Sequence, residues 1–289
     1  MNDAPITWNP APSRPQLALP EGATDCHVHV FGPAARFPFD PDSGYKPGDA
    51  PKERLFALHE MLGIDRCVIV QSGCHGLDDS VVEDAMAARP GQYLGVALTP
   101  PDVDGARLDA LAAKGFRAVR FNYMSHLAPG ATEDQLRALA PLLADRDMHL
   151  LIHMEDSLIA SMAPVLAALP CQVVIDHMGR VDASKGMDQP PFEALMRLAE
   201  TDTIWVKVSG SERCSRLDPP YDDATPFARR LVEAFPDRTI WGTDWPHPNF
   251  RAAPPDDGIL VDLLSDICPD AAALERLLVT NPARLYPFA

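Results

Sequence analysis

The sequence predicts one (β/α)8 barrel, the TIM-barrel architecture, on three observations. The first is length: 289 residues suit one large domain of this type, which usually needs about 250. The second is that short runs rich in Val, Ile and Leu alternate with longer amphipathic Ala/Leu segments, the pattern of repeated βα units around a parallel sheet. The third is the count, since both kinds of segment number eight, which fits a closed barrel better than an open sheet.

The strand candidates, in order, are residues 23–29 (ATDCHVH), 66–71 (RCVIVQ), 93–98 (YLGVAL), 117–122 (RAVRFN), 148–153 (MHLLIH), 172–177 (QVVIDH), 203–209 (TIWVKVS) and 239–244 (TIWGTD). Helical patterns fall near 52–63, 80–89, 105–114, 133–145, 156–168, 191–200, 223–235 and 258–279, with Pro and Gly at several joins. Residues 1–22 form a Pro-rich arm, with five prolines in the first twenty positions, and 23–289 form the barrel. The connection from Phe31 to about Lys52 is too long for a plain βα turn and reads as a partial lid. Segments 180–190 and 245–257, rich in Pro, Gly and Asp, read the same way.

Composition narrows the function. With 41 acidic against 25 basic residues and a formal charge of -16, long-range attraction to nucleic acid or anionic lipid is not expected. An anionic small molecule remains compatible, because a few arginines in a cleft reverse the potential locally. The six cysteines (Cys26, Cys67, Cys74, Cys171, Cys214 and Cys268) form no CxxC pair and lie in or beside apolar runs, as reduced buried thiols do. No apolar stretch reaches membrane-spanning length, and the N-terminus lacks a basic region followed by an apolar one. A cytoplasmic enzyme acting on a small molecule is the expectation, and a homo-oligomer is compatible with it.

In a barrel, the C-terminal ends of the strands build the active site, so polar residues there carry the information. His27 and His29 end the first strand with i, i+2 spacing, which aims both imidazoles to one side. Alone that pair is a weak signal. It is joined by His153, His177 and Asp244, each directly after an apolar run, giving five metal-type ligands at four strand ends. Imidazole with carboxylate suits one divalent ion, zinc above all, with a position open for water, and Asp244 could take the water's proton. Arg120, Lys207, Ser209 and Arg213 are further polar strand-end groups, and the arginines could pair with substrate carboxylates. His75 and Tyr45 are candidates to hydrogen-bond a substrate oxygen. His59, His126 and His149 are expected at the solvent-exposed surface, and His247 is assigned no ligand role.

The stretches HVHVFGP, VIVQSGCHG, RFN, VVIDHMGR and IWGTDWPHPN resemble the amidohydrolase superfamily, specifically its branch of 2-pyrone-4,6-dicarboxylate lactonase and related metal-dependent lactonases of the 4-sulfomuconolactone hydrolase type. The resemblance spans nearly the whole chain, and IDHMGR with WGTDWPHPN at this separation is its specific part. It implies a (β/α)8 fold and hydrolysis of a small anionic lactone from aromatic-acid breakdown. By position, His27, His29, His177 and Asp244 match catalytic residues of the branch, while Tyr45, Arg120 and Arg213 match positions that contact substrate carboxylates.

Three departures stand out. His153 replaces a tyrosine of the metal-independent pyrone-dicarboxylate enzyme, Ser125-His126 replaces a basic pair, and Gly73 replaces a serine. The first points to a metal held by His27, His29, His153 and Asp244, and the second to a substrate other than the dicarboxylate. Two further readings are a metal-free pyrone-dicarboxylate lactonase and a metal-dependent non-oxidative decarboxylase, which uses the same ligand types. A barrel retained only for binding would not need every ligand position filled.

Overall fold

The computed structural model describes residues 4, 6–127, 130–250 and 253–289. Eight parallel strands follow one another in sequence order around a single sheet: β1 (Thr24–Val28), β2 (Arg66–Val70), β3 (Tyr93–Leu98), β4 (Phe116–Tyr123), β5 (His149–Met154), β6 (Val173–Ile175), β7 (Ile204–Lys207) and β8 (Thr239–Ile240). The helices between them are α1 (Lys52–Leu62), α2 (Ser80–Ala87), α3 (Gly105–Ala113), α4 (Glu133–Ala144), α5 (Ile159–Ala167), α6 (Pro190–Arg197), the short α7 (Ser211–Cys214) and α8 (Thr225–Ala234). This is the expected (β/α)8 barrel.

Strand alternation sorts the core into two layers. Val68, Val70, Leu94, Val96, Ala118, Leu151, Val174, Trp205 and Ile240 fill the barrel interior, with Tyr286 plugging the bottom. The larger cluster, including Phe116, Leu136, Leu195 and Phe227, lies between strands and helices. Two residues beyond the interior apolar positions, the same alternation places Arg120, His153, Asp176 and Lys207 at the next level up. The site is therefore the upper floor of the barrel core.

The seam from β8 back to β1 is closed by backbone bonds: Cys26 donates to Trp241 O (2.8 Å), Asp244 to His27 O (2.8 Å) and His29 to Trp245 O (2.7 Å). Asp25, fully buried, staples it, accepting from His27 N (3.0 Å), Thr243 N (3.1 Å) and Thr243 Oγ1 (2.7 Å). Gly242 is required here, because a Cβ would stand 2.4 Å from His27 N. A register shift between Asp25 and Val28 turns Val28 to the outer layer and gives His27 of β1 and His29 just after it to the interior.

Some expectations change. His59 and His149 are buried, where the sequence reading put them at the surface. His59 shares the inward stripe Leu55, Leu58 and Leu62 of α1, and its Nδ1 lies 2.6 Å from Tyr93 Oη. His149 Nε2 lies 3.2 Å from Tyr286 Oη at the barrel floor. A phenolic partner on another element engages one ring nitrogen of each imidazole, which local sequence does not reveal. The expected helix over 258–279 is divided at Leu263 and again around Pro269 into α9 (Asp257–Asp262), α10 (Leu264–Ile267) and α11 (Ala271–Glu275), with Asp270 capping the last through Ala273 N (2.8 Å). The chain ends in α12 (Asn281–Leu285).

Residues 6–22 contain no helix or strand and run against the mouth loops. Trp8 Nε1 donates to Asp49 O (3.3 Å), Thr7 Oγ1 to Pro246 O, and Ser13 N to Asp256. Met1 to Asp3 and Pro5 of the expected arm, and Arg251 and Ala252 of the 245–257 segment, lie outside the described residues. The long loop after β1 is pinned at its base by reciprocal bonds between Phe31 and Ala50 (2.9 Å each). All six cysteines are buried and unpaired.

Asp25→Ala strands three buried donors at the seam, each worth roughly 1–3 kcal/mol. Urea unfolding should show a loss of at least about 3 kcal/mol; a loss below about 1 kcal/mol would mean that the seam closes without this carboxylate.

Candidate active site

Four of the five strand-end residues of ligand type converge, the three expected ligands His27, His29 and Asp244 together with His177. Asp244 Oδ1 faces His29 Nε2 at 3.4 Å, His27 Nε2 at 3.6 Å and His177 Nε2 at 3.8 Å. All four side chains are almost completely buried, and among the described residues neither Asp244 Oδ1 nor His27 Nε2 has a hydrogen-bond partner. His153 stands one ring further out, edge-on to His177 with centroids 5.6 Å apart, its Nδ1 3.0 Å from Asn122 Oδ1 and its buried Nε2 unpartnered.

The far nitrogen of each histidine is engaged. His29 Nδ1 lies 2.7 Å from Val70 O, which fixes it as the donor. His177 Nδ1 meets Ser209 Oγ at 2.9 Å. His27 Nδ1 lies between Lys207 Nζ (2.9 Å) and Asp176 Oδ1 (3.2 Å). Lys207 and Asp176, both fully buried, pair at 3.0 Å, and Arg120 closes the cluster on Asp176 Oδ2 through Nε (3.1 Å) and Nη2 (3.0 Å). Arg120 thus directs two N–H groups to a single carboxylate oxygen inside the protein.

Backbone strain marks the same residues. His177 (φ 50°) and Asp244 (φ 64°) adopt left-handed conformations that non-glycine residues seldom take. The turn carrying His177 is held close to Gly210, where a Cβ would lie 3.0 Å from that of His177.

Electrostatics assign charge states. Burial, then the Lys207 charge, pushes His27 down to about 3; burial likewise lowers His29 and carries His177 and His153 well below the ordinary imidazole range. Burial works against the Asp244 carboxylate, but Arg213, followed by His177, outweighs it and keeps the group well below the usual carboxylate range. Arg213 Nε donates to Asp244 Oδ2. An ionised carboxylate therefore faces three neutral imidazoles, a set suited to proton transfer and to divalent-ion ligation.

A family model described as amidohydrolase matches residues 24–288. The chain belongs to the amidohydrolase family. As an amidohydrolase it is 43% identical over 290 residues to the 2-pyrone-4,6-dicarboxylate hydrolase of Comamonas testosteroni, which covers 97% of this chain and 95% of that one. It is 38% identical over 273 residues to the 4-sulfomuconolactone hydrolase of Rhizobium radiobacter, covering 93% and 91% of the two chains. Among solved structures, an apo protein of Agrobacterium tumefaciens superposes with a TM-score of 0.83 at 28% identity, over 95% of this amidohydrolase and 99% of that chain.

The remaining predicted residues lie around this centre with different freedom to act. Tyr45 Oη accepts from Asn249 N (3.2 Å) and so ties the long loop after β1 to the loop after β8. His75 is occupied: its Nδ1 lies 3.2 Å from Pro38 O and its Nε2 accepts from Gly32 N (3.4 Å), leaving no ring nitrogen for a substrate. Sequence reasoning passed over three carboxylates. Asp176 was hidden inside an apolar run, where the sole signal was an acid at a strand end. Glu212, next to Arg213, and Asp257, 3.1 Å from His247 Nε2, are fully buried but sit in polar loops where acids are common.

The pH dependence of stability follows from these histidines. His149, like His27, is pushed down to about 3 by burial and then Lys207. Below about 6.5 the unfolded chain takes up protons that the native one refuses, so stability is full above that pH and falls as pH drops toward 3, by up to about 1.4 kcal/mol per pH unit for each histidine. Urea midpoints should fall steadily between about pH 7 and pH 5; a flat profile would contradict neutral burial.

Proposed function

We propose that this amidohydrolase opens a small anionic lactone, adding water across its ring ester with Asp244 as the base. The observation that carries the reading is the buried, unpartnered Asp244 Oδ1 at the focus of three Nε2 atoms. The names of the relatives support the substrate class, since a 2-pyrone and a muconolactone are both cyclic esters. Whether the ring bears carboxylates, a sulfonate or both is the part of the proposal that a substrate panel resolves.

Asp244 accepts one proton from water as the water oxygen bonds to the lactone carbonyl carbon. His177, held by Ser209, lies beside the same centre and stabilises the negative charge that develops on the carbonyl oxygen. The ring C–O bond then breaks, the proton passes to the departing oxygen, and the product is an open-chain hydroxy or enol carboxylate. Arg213 keeps Asp244 ionised, and the Tyr45 clasp between two loops limits access of bulk water.

The donor set fits a divalent ion. With bond lengths of about 2.1 Å, tetrahedral ligands stand about 3.4 Å apart, close to the 3.4 to 3.8 Å between Asp244 Oδ1 and the imidazoles. His27, His177 and Asp244 offer ligand atoms within 4.8 Å of one another. His27, His177 and Asp244 would hold the ion, zinc being the best match, while His29 meets Asp244 Oδ1 at 3.4 Å without joining that mutual spacing and His153 lies further out. When bound, such an ion polarises the carbonyl and acidifies water.

One contact supports a metal-free form of the same chemistry. If Lys207 donates to His27 Nδ1, Nε2 carries the proton and donates toward Asp244; if Asp176 accepts from Nδ1, Nε2 is free to ligate. Metal analysis separates the two. The metal reading requires close to one equivalent of ion and loss of turnover in chelator, whereas below about a tenth of an equivalent, with activity intact in EDTA, it fails.

Asp244→Asn should lower kcat on a hydrolysed lactone by about 10²–10⁴ with a folded protein by circular dichroism. Turnover within a few-fold of the wild type would remove Asp244 as the base.

A further inference from the structure

The N-terminal arm is fastened to the barrel mouth at two places. At its base Ser13 N and Oγ donate to Asp256 Oδ1 (3.0 and 2.9 Å), and Gln16 N and Leu17 N donate to Asp262 Oδ1 (2.7 and 2.9 Å). Gly258 makes room for this contact, since a Cβ there would stand 2.0 Å from Ser13 O. At its tip Trp8 Nε1 donates to Asp49 O (3.3 Å), and the Trp8 indole meets that of Trp245, the residue after Asp244, with ring centroids 6.1 Å apart. Gly48 admits the tip in turn: a Cβ there would lie 2.7 Å from Ala4 O and 3.1 Å from Ile6 N.

Between these contacts, Thr7 stands at the meeting of the two mouth loops. Its Oγ1 donates to Pro246 O, in the loop after β8, and is hydrogen-bonded to the Tyr45 hydroxyl, in the loop after β1. Tyr45 Oη in turn accepts from Asn249 N (3.2 Å). The two ends of this chain fix its direction. A backbone N–H only donates and a carbonyl oxygen only accepts, so the protons run from Asn249 N to Tyr45 Oη, from Tyr45 Oη to Thr7 Oγ1, and from Thr7 Oγ1 to Pro246 O. The one proton of the Tyr45 hydroxyl is thereby committed to Thr7 instead of a substrate oxygen. Both residues are half-buried, which shields the chain in part from competing water.

We infer that the arm is a working part of the active-site mouth and that Thr7 is a positioning residue, whose hydroxyl ties the loop after β1 to the segment that follows Asp244. Pro246 lies two residues beyond the carboxylate, and His29 N donates to Trp245 O (2.7 Å) between them. A shift of Pro246 is therefore felt at the seam that aims Asp244 at the histidines. The effect on turnover rests on the reading of Asp244 as the base; the clasp itself does not.

Hydrogen–deuterium exchange of the full chain, without substrate, tests the clasp. In Thr7→Val, which keeps the shape and loses the hydroxyl, the amides within residues 245–250 should exchange about 10-fold faster than in the wild type, and Thr7→Ser should restore them. Tyr45→Phe should match Thr7→Val, and the double variant should add no more, because both break one chain. On a hydrolysed lactone, kcat of Thr7→Val should fall about 10-fold and recover in Thr7→Ser, with the urea midpoint unchanged throughout. Exchange in Thr7→Val within about twofold of the wild type, or effects that multiply in the double variant, would overturn the clasp. Faster exchange with kcat unchanged would overturn the positioning role. A wild type that opens no lactone would remove the reaction and the part of Thr7 in it, while exchange still decides the clasp.

Discussion

The architecture depends on how the barrel closes. β8 has two residues, and the chain after it serves as the last part of the wall, bonded to β1 from Cys26 to His29. The bond from Asp244 N to His27 O is one rung of that seam. The same rung puts the Asp244 carboxylate against His27 of β1 and His29 just beyond it, so closing the fold and assembling the site are one event. The left-handed backbone at Asp244 and the missing side chain at Gly242 are the local cost of the close approach.

Beneath this rung lies a second constraint. Lys207, Asp176 and Arg120 occupy the level of the barrel interior where alternation brings residues from β4, the end of β6 and β7 together. Buried charges are tolerated because each has an opposite partner and hydrogen bonds within about 3.1 Å. A chain with a formal charge of -16 thus carries, at its active site, cations enough to hold Asp176 and Asp244 ionised.

Much of this was legible in the sequence. Eight alternating segments specified the barrel, and the strand-end rule picked out His27, His29, His177 and Asp244 before any coordinates. What stayed hidden depended on partners distant in sequence. Nothing near His59 or His149 announces the tyrosines that accept them into the core. Nothing in the letters around Arg120 announces the ion pair to Asp176 that holds it beneath the site. His153 could be placed at its strand end, but its position outside the inner group depends on how the turn after β6 brings His177 inward.

The central claim is that water, activated at Asp244, attacks the carbonyl carbon of a cyclic ester. Hydrolysis of a lactone substrate in H₂¹⁸O, followed by mass spectrometry of the product, tests it most directly. The account predicts one ¹⁸O per turnover, located in the carboxylate formed from the ring carbonyl, and no release of CO₂. Label at the carbon bearing the hydroxyl, or an unlabelled product with CO₂ evolved, would contradict it.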